Sequence, residues 1–165
     1  MEDIKKIMVT GGAGYVGYTL VEELSKRYPQ SRIIVYDNFS KGRLETSGQL
    51  LKRFENIEIL PWEKADIRDY HNFEGAIKKY NPEIVIHLAA IVDAFTTNRE
   101  GKDRECEIVN YEAAIETAKI CKREGVKQFI FQSSISIYSR GEGLHEESPK
   151  EPLSTYGRTK LRVEE

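Results

Sequence analysis

Apolar residues along the chain fall into short β-branched runs, separated by longer stretches in which they recur every three or four positions. The first run, Ile4 to Val9, predicts a strand, and Val16 to Tyr28, which stops before Pro29, predicts a helix. Arg32 to Tyr36, Ile57 to Leu60, Ile84 to Leu88 and Gln128 to Gln132 predict further strands. Between them, Arg68 to Tyr80 sets Phe73, Ala76 and Ile77 on a helical face, and Glu105 to Glu124 does the same with Ile108, Ala113, Ile115, Ala118 and Ile120. A polar, proline-bearing loop from Glu142 to Pro152 leads to a last predicted helix, Ser154 to Glu165.

Strands alternating with helices imply a mostly parallel sheet, because each crossover helix must return the chain to the same end of the sheet. The runs Ile33-Ile34-Val35, Ile84-Val85-Ile86 and Phe129-Ile130-Phe131 suit strands buried on both faces. The expected fold is α/β: a Rossmann-type doubly wound parallel sheet with helices on both faces, forming one domain over residues 1–165. A chain of this size buries roughly 70% of the surface its unfolded form exposes, enough for a single core.

Charge and cysteine content narrow the partners. With 25 basic and 27 acidic residues well mixed, there is no basic stripe to follow a phosphate backbone, so nucleic acid is not an expected partner. Cys106 and Cys121 match neither a disulfide framework nor a metal knuckle and are expected to be buried small hydrophobes. His71 and His145 have no neighbours that suggest chemistry, and no metal site is expected. The start Met1-Glu2-Asp3 lacks the basic, apolar character of a signal peptide, and no apolar run reaches membrane-spanning length. A soluble, cytoplasmic protein without a membrane partner is the expectation.

The chemistry begins where the first strand meets the first helix, at Thr10-Gly11-Gly12-Ala13-Gly14-Tyr15-Val16-Gly17. Gly11 and Gly14 allow a tight turn and close approach of backbone to a ligand, and Gly17 allows helix and strand to pack closely. The helix starting near Tyr15 and Val16 aims free N–H groups and its positive dipole end at an anion such as a pyrophosphate. Asp37 ends the second strand 20 residues beyond Gly17, with Asn38 next to it. A carboxylate there accepts both ribose hydroxyls of an adenosine and repels a 2′-phosphate, which favours NAD over NADP. Lys41 and Arg43, nearby in sequence, argue the other way.

A second constellation lies late in the chain. Tyr156 and Lys160 stand four apart, so a helix projects both from one face, and a nearby ammonium stabilises a phenolate for work as a base near neutral pH. The pair Ser133-Ser134 runs off the carboxyl end of the fifth strand, where ligand crevices form in such sheets.

Together these residues resemble the extended short-chain dehydrogenase/reductase family, particularly its NAD-dependent nucleotide-sugar epimerases and dehydratases. The resemblance runs through Thr10 to Gly17, Tyr36-Asp37-Asn38, Ala65-Asp66-Ile67-Arg68-Asp69, His87-Leu88-Ala89-Ala90, Asn110 and the Tyr156/Lys160 pair. It implies NAD as cofactor, with Asp66 and Ile67 holding the adenine, Leu88, Ala89 and Ala90 along the pyrophosphate and ribose, and His87 structural. It also implies that Ser134, four residues before Tyr138, is the substrate-binding hydroxyl rather than Ser133. Tyr156 would be the base and Lys160 its tuning partner and a contact to the nicotinamide ribose.

The implied reaction oxidises a sugar hydroxyl of a UDP- or dTDP-sugar to a ketone and returns the hydride. Family dehydratases follow the serine with an Asp-Glu pair, where this chain has Ile135-Ser136, so an epimerase is expected over a dehydratase, and a simple reductase with net NADH consumption stays as a further alternative. Homodimerisation through the helices holding Asn110 and Tyr156 is a further implication. Ser139 departs from the glycine common after the tyrosine, and members run to about twice this length, so a fragment lacking the last strands and the substrate region is expected. A cofactor-binding module without turnover is the alternative reading.

Overall fold

A computed structural model describes residues 4–40, 44–92, 100–139 and 141–165; Lys41 and Arg43 lie outside the described residues. The strands are β1 (Lys6–Thr10), β2 (Arg32–Tyr36), β3 (Ile57–Ile59), β4 (Ile84–His87) and β5 (Gln128–Phe131). All pair in parallel, in the order β3-β2-β1-β4-β5, with Thr10 opposite Tyr36 on one side and His87 on the other. The order reverses direction at β1, so the crevice for a ligand opens at the carboxyl ends of β1 and β4. The expected doubly wound parallel sheet is therefore present.

Helices α1 (Tyr15–Arg27), α2 (Leu44–Arg53), α3 (Tyr70–Tyr80), α4 (Glu100–Cys106), α5 (Ala113–Arg123) and α6 (Thr155–Glu164) surround it. Period-2 alternation divides the strands between two cores. Ile7, Val9, Ile33 and Val35 meet Val21 of α1 and Leu50 of α2, whereas Met8, Ile34 and Val85 meet Phe73 and Ile77 of α3 and Ile120 of α5. The Tyr36 ring packs edge-on against Phe73, with centroids 5.3 Å apart.

The structure departs from the hydrophobic pattern at three places. The stretch 105–124 is not one α-helix: Glu107–Glu112 widens into a π-helical segment between α4 and α5. α2 was not predicted, because Leu44–Arg53 has few apolar residues to set a period. β5 is not buried on both faces, for its residues alternate between exposed and half-buried, with Ile130 39% exposed. β5 is the edge strand, and no described helix covers that side of it.

Candidate functional site

The glycine turn is built by steric necessity. Gly11 has φ of 68°, and a Cβ on it would lie 2.7 Å from the Ala89 backbone nitrogen, so the turn closes directly over the end of β4. A Cβ on Gly17 would lie 2.2 Å from the Gly11 carbonyl oxygen, so α1 packs directly against the turn that follows β1. α1 starts at Gly14 in extended geometry without a side-chain cap. The N–H groups of its first turn, at Tyr15, Val16 and Gly17, are thereby left for a ligand.

Asp37 fastens this turn to β2. Its carboxylate accepts from the Ala13 N–H at 2.9 Å and the Phe39 N–H at 2.7 Å. Burial pushes its pKa up, and those two hydrogen bonds hold it down. Each oxygen takes one backbone donor, which leaves each a further lone pair to accept a ribose hydroxyl.

One cavity runs from the glycine turn past Asp37 to the loop after β3. Of the sequence-expected cofactor residues, Gly11, Gly14, Asp37, Asn38, Asp66, Ile67, Leu88, Ala89 and Ala90 line it. Tyr15, Val16 and Gly17 do not line it, nor do Ser134, Tyr156 and Lys160. A backbone clamp connects the two groups. Asn110, from the π-helical segment, accepts from the Ile91 N–H at 2.7 Å and donates to the Ile91 carbonyl at 2.9 Å. Its amide also donates to Cys106 Sγ at 3.0 Å, and that sulfur lies 3.9 Å from Thr159 Oγ1 of α6. Both cysteines are buried and free, as expected.

The second group is placed by α6. Ser154 caps that helix by accepting from the Gly157 N–H at 3.0 Å. Gly157 permits contact with the turn after β5, where a Cβ would lie 2.2 Å from the Ser136 carbonyl oxygen. Tyr156 thereby sits beside Ser134, whose hydroxyl also accepts from the Ser136 N–H at 3.2 Å. Ser133 instead hydrogen-bonds Glu164, at the end of α6.

Lys160 is 2% exposed, yet among the described residues its ammonium meets neutral groups. It donates to the Gln132 carbonyl at 2.8 Å and lies 4.5 Å from the Phe131 ring centroid and 5.8 Å from that of Tyr156. Burial brings its pKa down to about 8. The expectation that Lys160 lowers the Tyr156 pKa is not met in this geometry. Burial raises the phenol, Ser134 opposes that rise, and the ammonium is engaged by the Gln132 carbonyl.

His87 is structural, as the resemblance implies. It is fully buried, packs against Phe129 and Phe131, and shares a 3.0 Å hydrogen bond between Nδ1 and Thr10 Oγ1. That oxygen also accepts from the Ala89 N–H at 3.3 Å. Nε2 has no hydrogen-bond partner among the described residues. Burial, aided by the Lys160 charge, takes the His87 pKa down to about 3, so the ring is neutral.

Sequence reasoning gave no contact to Thr10, Arg68, Phe131 or Gly157. Thr10, Arg68 and Phe131 stand inside runs already singled out, at 10–17, 65–69 and 129–131, but nothing in the spacing shows what they touch. Among the described residues no cluster of His, Cys, Asp or Glu suits a metal ion, and no helix is long and apolar enough to cross a membrane.

Comparison with known proteins agrees with this geometry. The sequence model of the NAD dependent epimerase/dehydratase family matches residues 7–165. A UDP-glucose 4-epimerase of Rhizobium leguminosarum bv. trifolii is 28% identical over 96% of this chain and 45% of its own length. A dTDP-D-glucose 4,6-dehydratase of Dictyostelium discoideum is 33% identical over 88% of this chain and 32% of its own. Among solved structures, Bordetella bronchiseptica WbmG in complex with NAD and UDP superposes with a TM-score of 0.79 at 26% identity, covering 96% of this chain and 47% of that one. The chain thus spans less than half the length of these relatives.

Proposed function

The chain belongs to the NAD-dependent epimerase/dehydratase family, and from that premise we propose that it is the cofactor-holding part of a nucleotide-sugar epimerase-type enzyme. The observation that carries the reading is that Ser134, Tyr156 and Lys160 come together at the carboxyl end of β5, linked to the cavity through Ile91, Asn110, Cys106 and Thr159.

The first-turn N–H groups of α1 would hold the pyrophosphate of NAD, and Asp37 would hold the adenosine ribose. When bound, NAD supplies the hydride acceptor and donor. Tyr156 Oη takes the proton of the sugar hydroxyl as hydride leaves the carbon, and gives it back when hydride returns to the opposite face. Ser134 Oγ hydrogen-bonds the same sugar oxygen and fixes it in front of Tyr156. Lys160, with a pKa near 8, stays charged at neutral pH and stabilises the phenolate once it turns from the Gln132 carbonyl toward the phenol and the nicotinamide ribose.

Ile135 and Ser136 occupy the places where a dehydratase needs an acid pair; Ile135 is 81% exposed and cannot protonate a leaving hydroxyl. This supports epimerisation over elimination. The UDP held by WbmG supports a uridine-nucleotide sugar as substrate, with a dTDP-sugar as the neighbouring possibility. Cytoplasmic location and a homodimer pairing through α6 and the Asn110 helix belong to the same proposal.

The test is turnover of UDP-sugars with NAD, followed by NMR. The wild-type protein is expected to yield an isomer of unchanged mass. Tyr156→Phe is expected to lose at least about a hundredfold in rate. Activity of Tyr156→Phe within a few fold of wild type contradicts the assignment. A second reading, a cofactor module without turnover, is favoured by the chain spanning less than half of its relatives. NAD binding without sugar binding or conversion by these 165 residues establishes that reading instead.

A further inference from the structure

The far end of the cavity holds an unusually complete carboxylate. Asp66 Oδ1 accepts from the Arg68 backbone N–H and from Arg68 Nε, both at 2.9 Å. Oδ2 accepts from Arg68 Nη2 at 2.6 Å and from Asn38 Nδ2 at 3.0 Å. These donors fill the lone-pair positions a carboxylate offers. Arg68 grips both oxygens with the planar fork that fixes a carboxylate in orientation as well as in charge. The remaining guanidinium nitrogen, Nη1, lies 4.0 Å from Glu105 of α4, which lines the same cavity.

The place of this clasp in the cavity decides what it faces. Starting at the glycine turn, the lining passes Asp37 and Asn38 and ends on Ala65 to Arg68. A dinucleotide with its pyrophosphate at the turn and its ribose at Asp37 puts its base against that last stretch. This step rests on the cofactor reading above. A carboxylate held ionised can only accept hydrogen bonds, so it welcomes an exocyclic amine and repels a carbonyl oxygen in the same position.

We propose that Arg68 is a positioning residue for base recognition: by clasping Asp66 it makes the cavity select a 6-amino purine over a 6-oxo purine. The Arg68 bonds are charge-assisted and short. On Oδ2 the Asn38 amide is the uncharged donor and makes the longer bond, so Asn38 is the donor that the base amine displaces. The clasp also holds the Asp66 pKa down to about 2. A lysine at position 68 retains charge but loses the fork, and a methionine loses both.

The test is calorimetric titration of the 165-residue chain, as wild type, Arg68→Met and Arg68→Lys, with NAD and with nicotinamide hypoxanthine dinucleotide. Wild type is expected to prefer NAD by roughly tenfold or more, the range of a hydrogen bond to a charged group. Arg68→Met is expected to bring the two ligands within about threefold of each other, and Arg68→Lys to fall between. Arg68 is half-exposed and makes no core contact, so thermal melting of both variants is expected to match wild type. An unchanged NAD preference in Arg68→Met overturns the proposal. So does a wild type that binds both dinucleotides equally, although that result leaves the cofactor site intact. Failure of wild type to bind either one defeats the cofactor reading itself and the proposal with it.

Discussion

His87 and Lys160 are basic side chains buried with no acidic partner among the described residues, and both have pKa values pulled down by that burial. For His87 the consequence for stability has a definite sign. Between its ordinary 6.5 and the folded value of about 3, the unfolded chain binds a proton that the folded chain refuses. Stability contributed by neutral His87 is complete above pH 6.5 and is lost as pH falls toward 3, at up to about 1.4 kcal/mol per pH unit. Denaturant titrations at pH 7 and pH 4.5 measure this loss. His87→Phe keeps an aromatic body between Phe129 and Phe131 and is expected to lose clearly less stability over that interval than wild type. An identical acid loss in both proteins contradicts the assignment. Lys160 works in a higher window: its penalty is complete below about pH 8 and is relieved as pH rises toward 10.5.

The π-helical segment Glu107–Glu112 is the element on which the two parts of the site depend. It delivers Asn110, 1% exposed, to both polar groups of the Ile91 backbone, fixing the chain just after β4 while its Cys106 contact leads toward α6. Asn110→Leu leaves the Ile91 N–H and C=O without these partners, and each buried unsatisfied group costs about 1–3 kcal/mol. A loss of about 2–4 kcal/mol in chemical denaturation is expected, and a loss under about 1 kcal/mol means that the clamp does not matter.

Most elements were legible in the sequence, because strands such as Arg32–Tyr36 and helices such as Tyr70–Tyr80 carry their own periodicity. The π-segment was not legible, since its widening leaves the apolar spacing of 105–124 close to that of an ordinary helix. Local chemistry was legible in the same measure. Gly11, Gly17 and Asp37 act through neighbours in their own turn, and the spacing reveals them. Gly157, by contrast, matters because Ser136, distant in sequence, passes against it. The orientation of the Lys160 ammonium toward the Gln132 carbonyl is likewise a tertiary fact, which is why the expected lowering of the Tyr156 pKa does not appear.

At the scale of the whole molecule, the sheet order places the glycine turn, Asp37 and the Asp66 clasp along one side of the crevice, and Ser134, Tyr156 and Lys160 beyond β4 at the other. The architecture suits a long ligand with a polar, anionic middle and a reacting end far from its anchored base. On the proposed reading, free N–H groups of α1 would receive the anion, and Asp37 would receive a ribose whose 2′ position must be unphosphorylated. The most direct measurement is therefore calorimetric titration of the 165-residue chain with NAD and with NADP at physiological ionic strength. Saturable binding of NAD, at least about tenfold tighter than NADP, is the predicted result. Absence of NAD binding, or NADP binding as tight as NAD, would contradict the account.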